Sequence, residues 1–466
     1  MRKGLFVFLS LALVVALAVP AAAEVKLTGF YRVKPTTANF PIAGNAQFIT
    51  SGSLSGNNTG VSTSFVEMRN RLRFEVGDEN VKGITFFELD GNFGDTGGQT
   101  GRNQGFASNG DSINLETKNA YIWFKIPDTG LTFQVGLQNY MDEFAGLLFG
   151  ASDQAGVVVG AKFDPVGLRF TWFKLRDDIA LASPGTGYSR WTGNNAGGKS
   201  ADYYAVDAKF SATPVVAITG HFGFINDRGI GGTTFAAKPT EAGAGYDTLR
   251  SYYVGANATV KVAPVTLTGF VLYNFGQFEG TGVSDVKIGG IAGDVRADVQ
   301  LGPGNLFGEV LYVSGDDDTS VGNDKFKSIV TGSDYANLTS YFGRPDLLLL
   351  FPNFDMINSA TALVLNPNNG GKGLILGAAG FSMKFAEKVS GKVGAGYLAA
   401  DKKRGQLGDG KGMGTEINAN VNYNITKGLD FGVYAAYALL GDFYSVAGTE
   451  DPDDLYLLFG RLNYAF

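Results

Sequence analysis

The stretch "SFVEMRNRLRFEVG" (64–77) places Arg69, Arg71 and Arg73 two residues apart, with Glu67 and Glu75 in the same phase. Val66, Met68, Leu72, Phe74 and Val76 occupy the alternate positions. On a strand, a spacing of two puts all the charges on one face and the apolar groups on the other. A guanidinium keeps its charge and grips carboxylates or phosphates with two donors. Two chemistries are therefore open. The arginines form a basic ladder that attracts anionic solutes, or a wall brace paired with Glu67 and Glu75 and with Glu88 and Asp90 of the next segment. Arg32 and Lys34 precede this stretch in the same phase, and Asp294, Arg296 and Asp298 repeat the pattern later.

Covalent or acid–base catalysis has little to build on. The one histidine, His221 in "TGHFGF", has no serine or aspartate around it at a spacing that suggests a nucleophile with a base. It reads as a residue on the charged face, and no enzyme is expected. With no cysteine there is no thiolate site, haem attachment or disulfide. The acidic runs at Asp316, Asp317 and Asp318 and at 450–454 lack the ligand order of an EF-hand. No metal or other cofactor is expected. Trp123, Trp172 and Trp191 read as interface or loop aromatics.

These side chains need elements to hold them, and the start of the chain says where those elements go. Arg2 and Lys3, an apolar run and Ala21-Ala22-Ala23 form a secretory signal peptide over 1–23, cleaved after Ala23. The 38 Lys+Arg, less Arg2 and Lys3, stand against 44 Asp+Glu, so the mature chain carries −8. An acidic secreted chain makes a poor nucleic-acid partner. Beyond the signal peptide no apolar stretch approaches the ~20 residues of a membrane helix. Sixty-seven glycines, 36 phenylalanines and 20 tyrosines suit strands, tight turns and aromatics at an interface.

Eight short turns stand between period-two segments: "GDEN" (77–80), "PDTG" (127–130), "DPVG" (164–167), "SATP" (211–214), "VAP" (262–264), "GPGN" (302–305), "AEKVSG" (386–391) and "TKGL" (426–429). Nine longer polar connections alternate with them. Eight hairpins plus one strand at each end predict 18 strands, or 16, because 82–93 alternates poorly. The expectation is an all-β chain: a single antiparallel up-and-down transmembrane barrel over 24–466, in the bacterial outer membrane, with short periplasmic turns and long extracellular loops. One face meets lipid. The other, from Lys26 and Thr28 to Asn418, Asn420, Asn422 and Asn424, lines water, since barrels of ~16–18 strands leave an aqueous channel.

The loop 315–371 carries "SDYANLTSYFGRPDLLLLFPNF", too apolar to remain in water. It folds into the mouth as a constriction with Tyr335, Tyr341, Arg344 and Asp346 exposed to the pore, or else packs Leu347 and its neighbours on other loops or a subunit contact. "YMDEFAGLLFGASD" (140–153) is a second candidate for the same role.

The closing blocks "GTEINANVNYNITKGLDFGVYAAYALLGDF" (414–443) and "LYLLFGRLNYAF", with "MRNRLRFEV" near the start, resemble alginate-export-type outer-membrane proteins and related bacterial porins. That resemblance implies an 18-stranded barrel passing solutes or acidic polysaccharide, with basic residues such as Arg69, Arg71 and Arg73 at the constriction. The mixed-sign lumen and acidic mature chain depart from a polyuronate exporter. The first reading is therefore a porin for passive diffusion of small hydrophilic solutes or ions. The alternatives are an exporter of an anionic polysaccharide, and a barrel serving as a structural platform or sheath. Expected partners are outer-membrane lipid and lipopolysaccharide, small solutes and two further copies in a homotrimer.

Overall fold

Strand follows strand wherever the sequence alternates, because a sheet in lipid must satisfy every backbone N–H and C=O within itself. The computed structural model describes residues 24–40, 62–95, 106–108, 115–150, 152–177, 200–211, 213–229, 246–280, 284–317, 324–332, 341, 344–351, 353, 355–357, 362–364, 366–403, 410–445 and 453–466. The segment 1–23, Trp191, Asp318, Tyr335 and residues 450–452 lie outside them.

In chain order the strands are β1 (Glu24–Ala38), β2 (Thr63–Gly77), β3 (Val81–Asn92), β4 (Glu116–Lys125), β5 (Leu131–Tyr140), β6 (Ser152–Phe163) and β7 (Val166–Asp177). Next come β8 (Ser200–Phe210), β9 (Val216–Asp227), β10 (Tyr246–Val262), β11 (Val265–Gly280), β12 (Val286–Leu301), β13 (Gly304–Val313) and β14 (Lys325–Phe326). The chain ends with β15 (Leu374–Ala386), β16 (Val389–Ala399), β17 (Gly412–Thr426), β18 (Leu429–Leu440) and β19 (Leu455–Ala465). β14 has two residues and lies parallel to the upper end of β12, beyond the point where β13 stops. Among the described residues the other eighteen strands form one antiparallel wall, each paired with its sequence neighbours.

The first and last strands close that wall. Arg32 faces Asn463 in register, Tyr31 faces Tyr464, and Phe466 exchanges backbone hydrogen bonds of 3.0 and 3.1 Å with Gly29. The Phe466 ring stacks on Tyr31 at 6.0 Å. The eight short turns all join neighbouring strands at one end, and the long connections all lie at the other. The weak alternation over 82–93 has a local cause. Ile84 and Phe86 share the inward face with Glu88 and Asp90, and the pairing with β4 shifts register beside them. One strand results, so the count is eighteen.

Outward positions are apolar and open: Val25 and Val271 are each 66% exposed, Val295 63% and Ile417 60%. Such a surface is stable only against lipid. The inward face divides by height. Toward the turn end it is polar, as alternation predicts. Toward the loop end it is apolar, with Tyr203, Ile225, Tyr253, Leu272, Leu311, Leu376 and Leu398 buried in one cluster with residues of two connections, 141–151 and 314–373. The polar-inside rule thus holds for only part of the lumen, because folded-in loops supply the apolar neighbours for the rest. Two glycines permit this close packing. A Cβ at Gly255 would lie 2.8 Å from the Phe144 ring, and one at Gly396 2.9 Å from Leu347.

The seam gives a direct test. Phe466→Ala removes two aromatic contacts at the point of closure and is expected to cost about 1 kcal/mol per pair lost. Midpoints of heat-dependent gel migration should fall accordingly, whereas substituting Ile417, on the open lipid face, with Val should leave them nearly unchanged.

Candidate functional site

The arginine row is anchored before it is available to anything else. Arg69 donates to both carboxylate oxygens of Asp90 (2.8 and 2.6 Å) and lies 3.2 Å from Glu88. It also donates to the Ile357 carbonyl at 3.0 Å, so it ties the wall to the long loop. Arg71 pairs with Glu88, and Arg73 with Glu75 at 3.1 Å. Lys34 and Glu67 are buried together 3.6 Å apart. Side-chain exposure rises down the row, from 9% at Arg69 to 25% at Arg71 and 36% at Arg73. The top of the row therefore has the contacts of a brace, and only its turn-end members reach open space.

The second charged group joins β12, β13 and the long loop. Arg344 donates to Asp294 at 2.6 Å, to Glu309 at 3.0 Å and to the Thr268 hydroxyl at 3.1 Å. The Tyr341 hydroxyl donates to Asp294 at 2.6 Å and also contacts Glu309. Arg296 holds Glu309 (2.8 Å) and Asp298 (2.8 Å) and donates to the Arg344 carbonyl. Burial, then the neighbouring Glu309 and Asp294 carboxylates, push the Tyr341 phenol well above its usual range, so it remains a donor. Tyr341 was expected to face the pore. It is fully buried against the wall instead, because its hydroxyl is needed by two carboxylates that Arg344 alone does not saturate. Asp346 is partly exposed and pairs with Lys392 of β16.

Farther along, the loop's backbone is clamped. Glu416 of β17 is fully buried, and its carboxylate accepts the N–H groups of Leu348, Leu349 and Leu350 at 2.7, 2.9 and 2.8 Å. Leu347, Leu349, Leu350 and Phe351 are then buried inside the barrel. Asp355 reaches Arg461 at 3.0 Å and Arg32 at 3.4 Å. The shorter connection uses the same device. Asp142 accepts four N–H groups, from Phe144, Gly146, Leu148 and Phe149, at 2.6–3.2 Å. The two loops bond to each other through Gly332 N–H to Leu148 and Tyr341 N–H to Gly146. His221 sits under this connection, fully buried, with Nδ1 2.5 Å from Asp207 and its ring edge-on to Phe144.

Below the long loop a space of about 580 Å³ remains, lined by Arg32, Arg461, Lys384, Lys392, Asp355, Asn420, Asn422 and Tyr434 among others. Of these, sequence reasoning singled out Arg32 for a site role and put Asn420 and Asn422 on the inward face. Lys384, Lys392 and Arg461 have only their strand phase as a signal, and Asp355 has none, because it lies in irregular backbone. Glu416 was legible as inward by alternation, but not as the clamp of a loop some seventy residues away. Trp123, read as an interface or loop aromatic, instead lies on the inward face of β4 at the turn end, its ring 5.9 Å from the Lys82 ammonium, and Trp172 lies on the outer face of β7, bonded to Asp202.

A closed eighteen-strand barrel with a lipid-type exterior and a charged lumen defines a transmembrane β-barrel of the outer-membrane type. Solved structures agree on the fold. OpdQ of Pseudomonas aeruginosa superposes with a TM-score of 0.53 at 10% identity, covering 95% of this chain and 97% of that one. OccAB4 of Acinetobacter baumannii gives 0.53 at 11% identity, over 95% and 98% of the two chains. The outer membrane protein opdK of P. aeruginosa gives 0.52 at 10% identity, over 95% and 98%. No protein-family model matches the chain, and no curated protein matches it in sequence.

Removing one partner from a buried ion network costs about 3–5 kcal/mol, because the opposite charges stay buried. Arg344→Ala should therefore loosen Tyr341 and residues 344–346 from the wall while the barrel persists. Hydrogen exchange of the Tyr341 amide, which bonds to the Gly146 carbonyl beside this network, reads this directly. Exchange as slow as in the parent would show that Arg344 does not hold the loop.

Proposed function

We propose that the chain forms a water-filled channel for passive diffusion of small hydrophilic solutes or ions across the outer membrane. The observation that carries this reading is the polar space of about 580 Å³ left inside a closed barrel beneath the inward loops. Its walls hold both signs of charge together with amide and hydroxyl groups, and suit small, hydrated, charged molecules. Of the four cations lining it, Arg32 and Arg461 share Asp355, Arg461 also holds Asp430 and Lys392 holds Asp346, which leaves Lys384 as the excess charge, so anions are mildly favoured. Arg69 braces the wall; Arg73, at the open end of the row, contributes to the field. Tyr341, Arg344 and Asp346 act as the constriction, two of them by holding the loop in place.

Export of an anionic polymer, the finer reading of the alginate-type resemblance, fits less well. Loops tied to β2, β12, β13, β16 and β17 cross the path a chain would need. A sheath or platform would not require a hydrated polar space below a fixed constriction. The apolar run 347–351, which could have served a subunit contact, is spent inside the barrel, so one barrel is the conducting unit. Residues 1–23 act as a signal peptide removed after Ala23, and residues 24–466 form the single barrel domain.

Planar-bilayer recording in a KCl gradient tests the reading. Discrete conductance is expected, with a reversal potential on the anion side. Lys384→Glu should move that potential toward cations, because Lys384 faces the space with no ion pair among the described residues. Absence of conductance from folded protein would overturn the channel; an unmoved potential would overturn this assignment of its field.

A further inference from the structure

The amides that line the space below the long loop are oriented by partners that leave them no choice of polarity. A guanidinium can only donate, and Arg461 gives an N–H to Asn422 Oδ1 at 3.2 Å, where the Tyr434 hydroxyl also donates at 2.8 Å. The other end of the Asn422 amide is therefore its NH2 group, which donates to Asn420 Oδ1 at 2.8 Å. Asn420, with its oxygen engaged, keeps an NH2 group that has no partner among the described residues. Gly432, opposite Asn422 in the pairing, makes room for this chain of bonds. A Cβ there would lie 2.2 Å from Asn422 Oδ1.

On the other side of the same space the polarity reverses. Asp298, held by Arg296 at 2.8 Å, accepts the Asn305 NH2 group at 3.1 Å, so the Asn305 carbonyl oxygen stays open. Gln300 spends its NH2 group on the Gly302 and Gly304 carbonyls at 2.8 and 2.9 Å, which leaves its oxygen open too. The strands between carry hydroxyl and ammonium groups at the same height. Asn305 faces Ser382, Ser382 faces Lys392, and Lys392 faces Asn420; one step toward the turns, Lys384 faces Ser390 and Ser390 faces Asn422. From β13 to β17 is three strand steps, ~14 Å along the wall. The space of about 580 Å³ falls within the ~300–1,000 Å³ of small-molecule sites.

A solute in this space must accept hydrogen bonds from Asn420 and give them to Asn305 and Gln300. A hydroxyl does both. An ammonium would seek a carboxylate, but Asp355 and Asp298 are already held by Arg461, Arg32 and Arg296. A carboxylate, in turn, would meet those arginines already paired. We propose that the space is a binding site for a neutral monosaccharide. Its hydroxyls accept from Asn420 and donate to Asn305 and Gln300, and Ser382, Ser390 and Lys384 complete its contacts. The proposal rests on the channel reading and names the class of solute that the channel recognises.

Saturation-transfer NMR of the folded barrel, in a detergent without sugar groups and titrated with D-glucose, tests it without needing current. The parent should give a saturable signal. Tetraethylene glycol, with ethers in place of most hydroxyls, should give none, and L-alanine should saturate only at higher concentration. Asn420→Ala and Asn305→Ala should each raise the half-saturation concentration about 5-fold, the worth of one hydrogen bond. Asn420→Gln, which keeps the NH2 group, should raise it less. Gln134→Ala, which removes an amide of β5 on the opposite side of the wall, should not alter it. Heat-dependent gel migration confirms that each variant is folded. No saturable glucose signal from the folded parent, equal half-saturation in the parent and the double Ala variant, or tighter binding of alanine than of glucose would overturn the proposal. Absence of conductance with the glucose signal intact would overturn the channel reading and not this site.

Discussion

Closure of β1 on β19 is the constraint from which the rest of the molecule follows. An open sheet in lipid would leave a row of unsatisfied N–H and C=O groups on each edge, at several kcal/mol per group. The pairing from Phe30–Ala465 to Ala38–Leu457 removes both edges. Once the wall is closed, the two faces of every strand have fixed solvents, and alternation becomes compulsory. Val25, Leu27 and Tyr31 meet lipid, while Arg32 and Lys34 cannot.

Closure creates a second problem, since a cylinder of eighteen strands is wide enough to leak. The fold narrows it with backbone instead of side chains alone, and buried carboxylates make that possible. Asp142 and Glu416 each collect several N–H groups from a loop that forms no regular ladder of its own, which satisfies donors that would otherwise be orphaned away from water. The apolar residues of those loops then find partners only if the upper inward wall is apolar too. Phe144 over Gly255 and Leu347 over Gly396 show wall and loop fitted to each other. Charge pairing at Arg344, Arg69 and Arg461 fixes the loop laterally, and Lys384, with no ion pair among the described residues, faces the remaining space.

Much of this was legible in the sequence. All eight short turns separate the strands they were read to separate, because Gly, Pro, Asp and Asn mark positions where a ladder cannot continue. The phase of Arg69, Arg71 and Arg73, and of Asn418, Asn420 and Asn422, followed from period two alone. The partnership of the arginines did not: whether they select or brace depends on cross-strand register, which put Asp90 opposite Arg69 and Glu88 opposite Arg71. Tyr341 illustrates the same limit. Its loop was recognisable as too apolar for water, but the orientation of one phenol within it depends on Asp294 and Glu309, roughly thirty to fifty residues away in sequence. Asp355 and Glu416 were invisible as a pair of anchors for one loop, because irregular backbone has no period.

The central claim is that fixed inward loops leave a passage for small hydrophilic solutes and for nothing much larger. Swelling of liposomes loaded with the barrel, across a series of neutral and acidic saccharides of increasing length, measures that passage directly. The account predicts rapid entry of the smallest sugars and amino acids, a steep fall as length increases, and exclusion of uronate oligomers. Free passage of long uronate chains, or no entry of even the smallest solute, would contradict it.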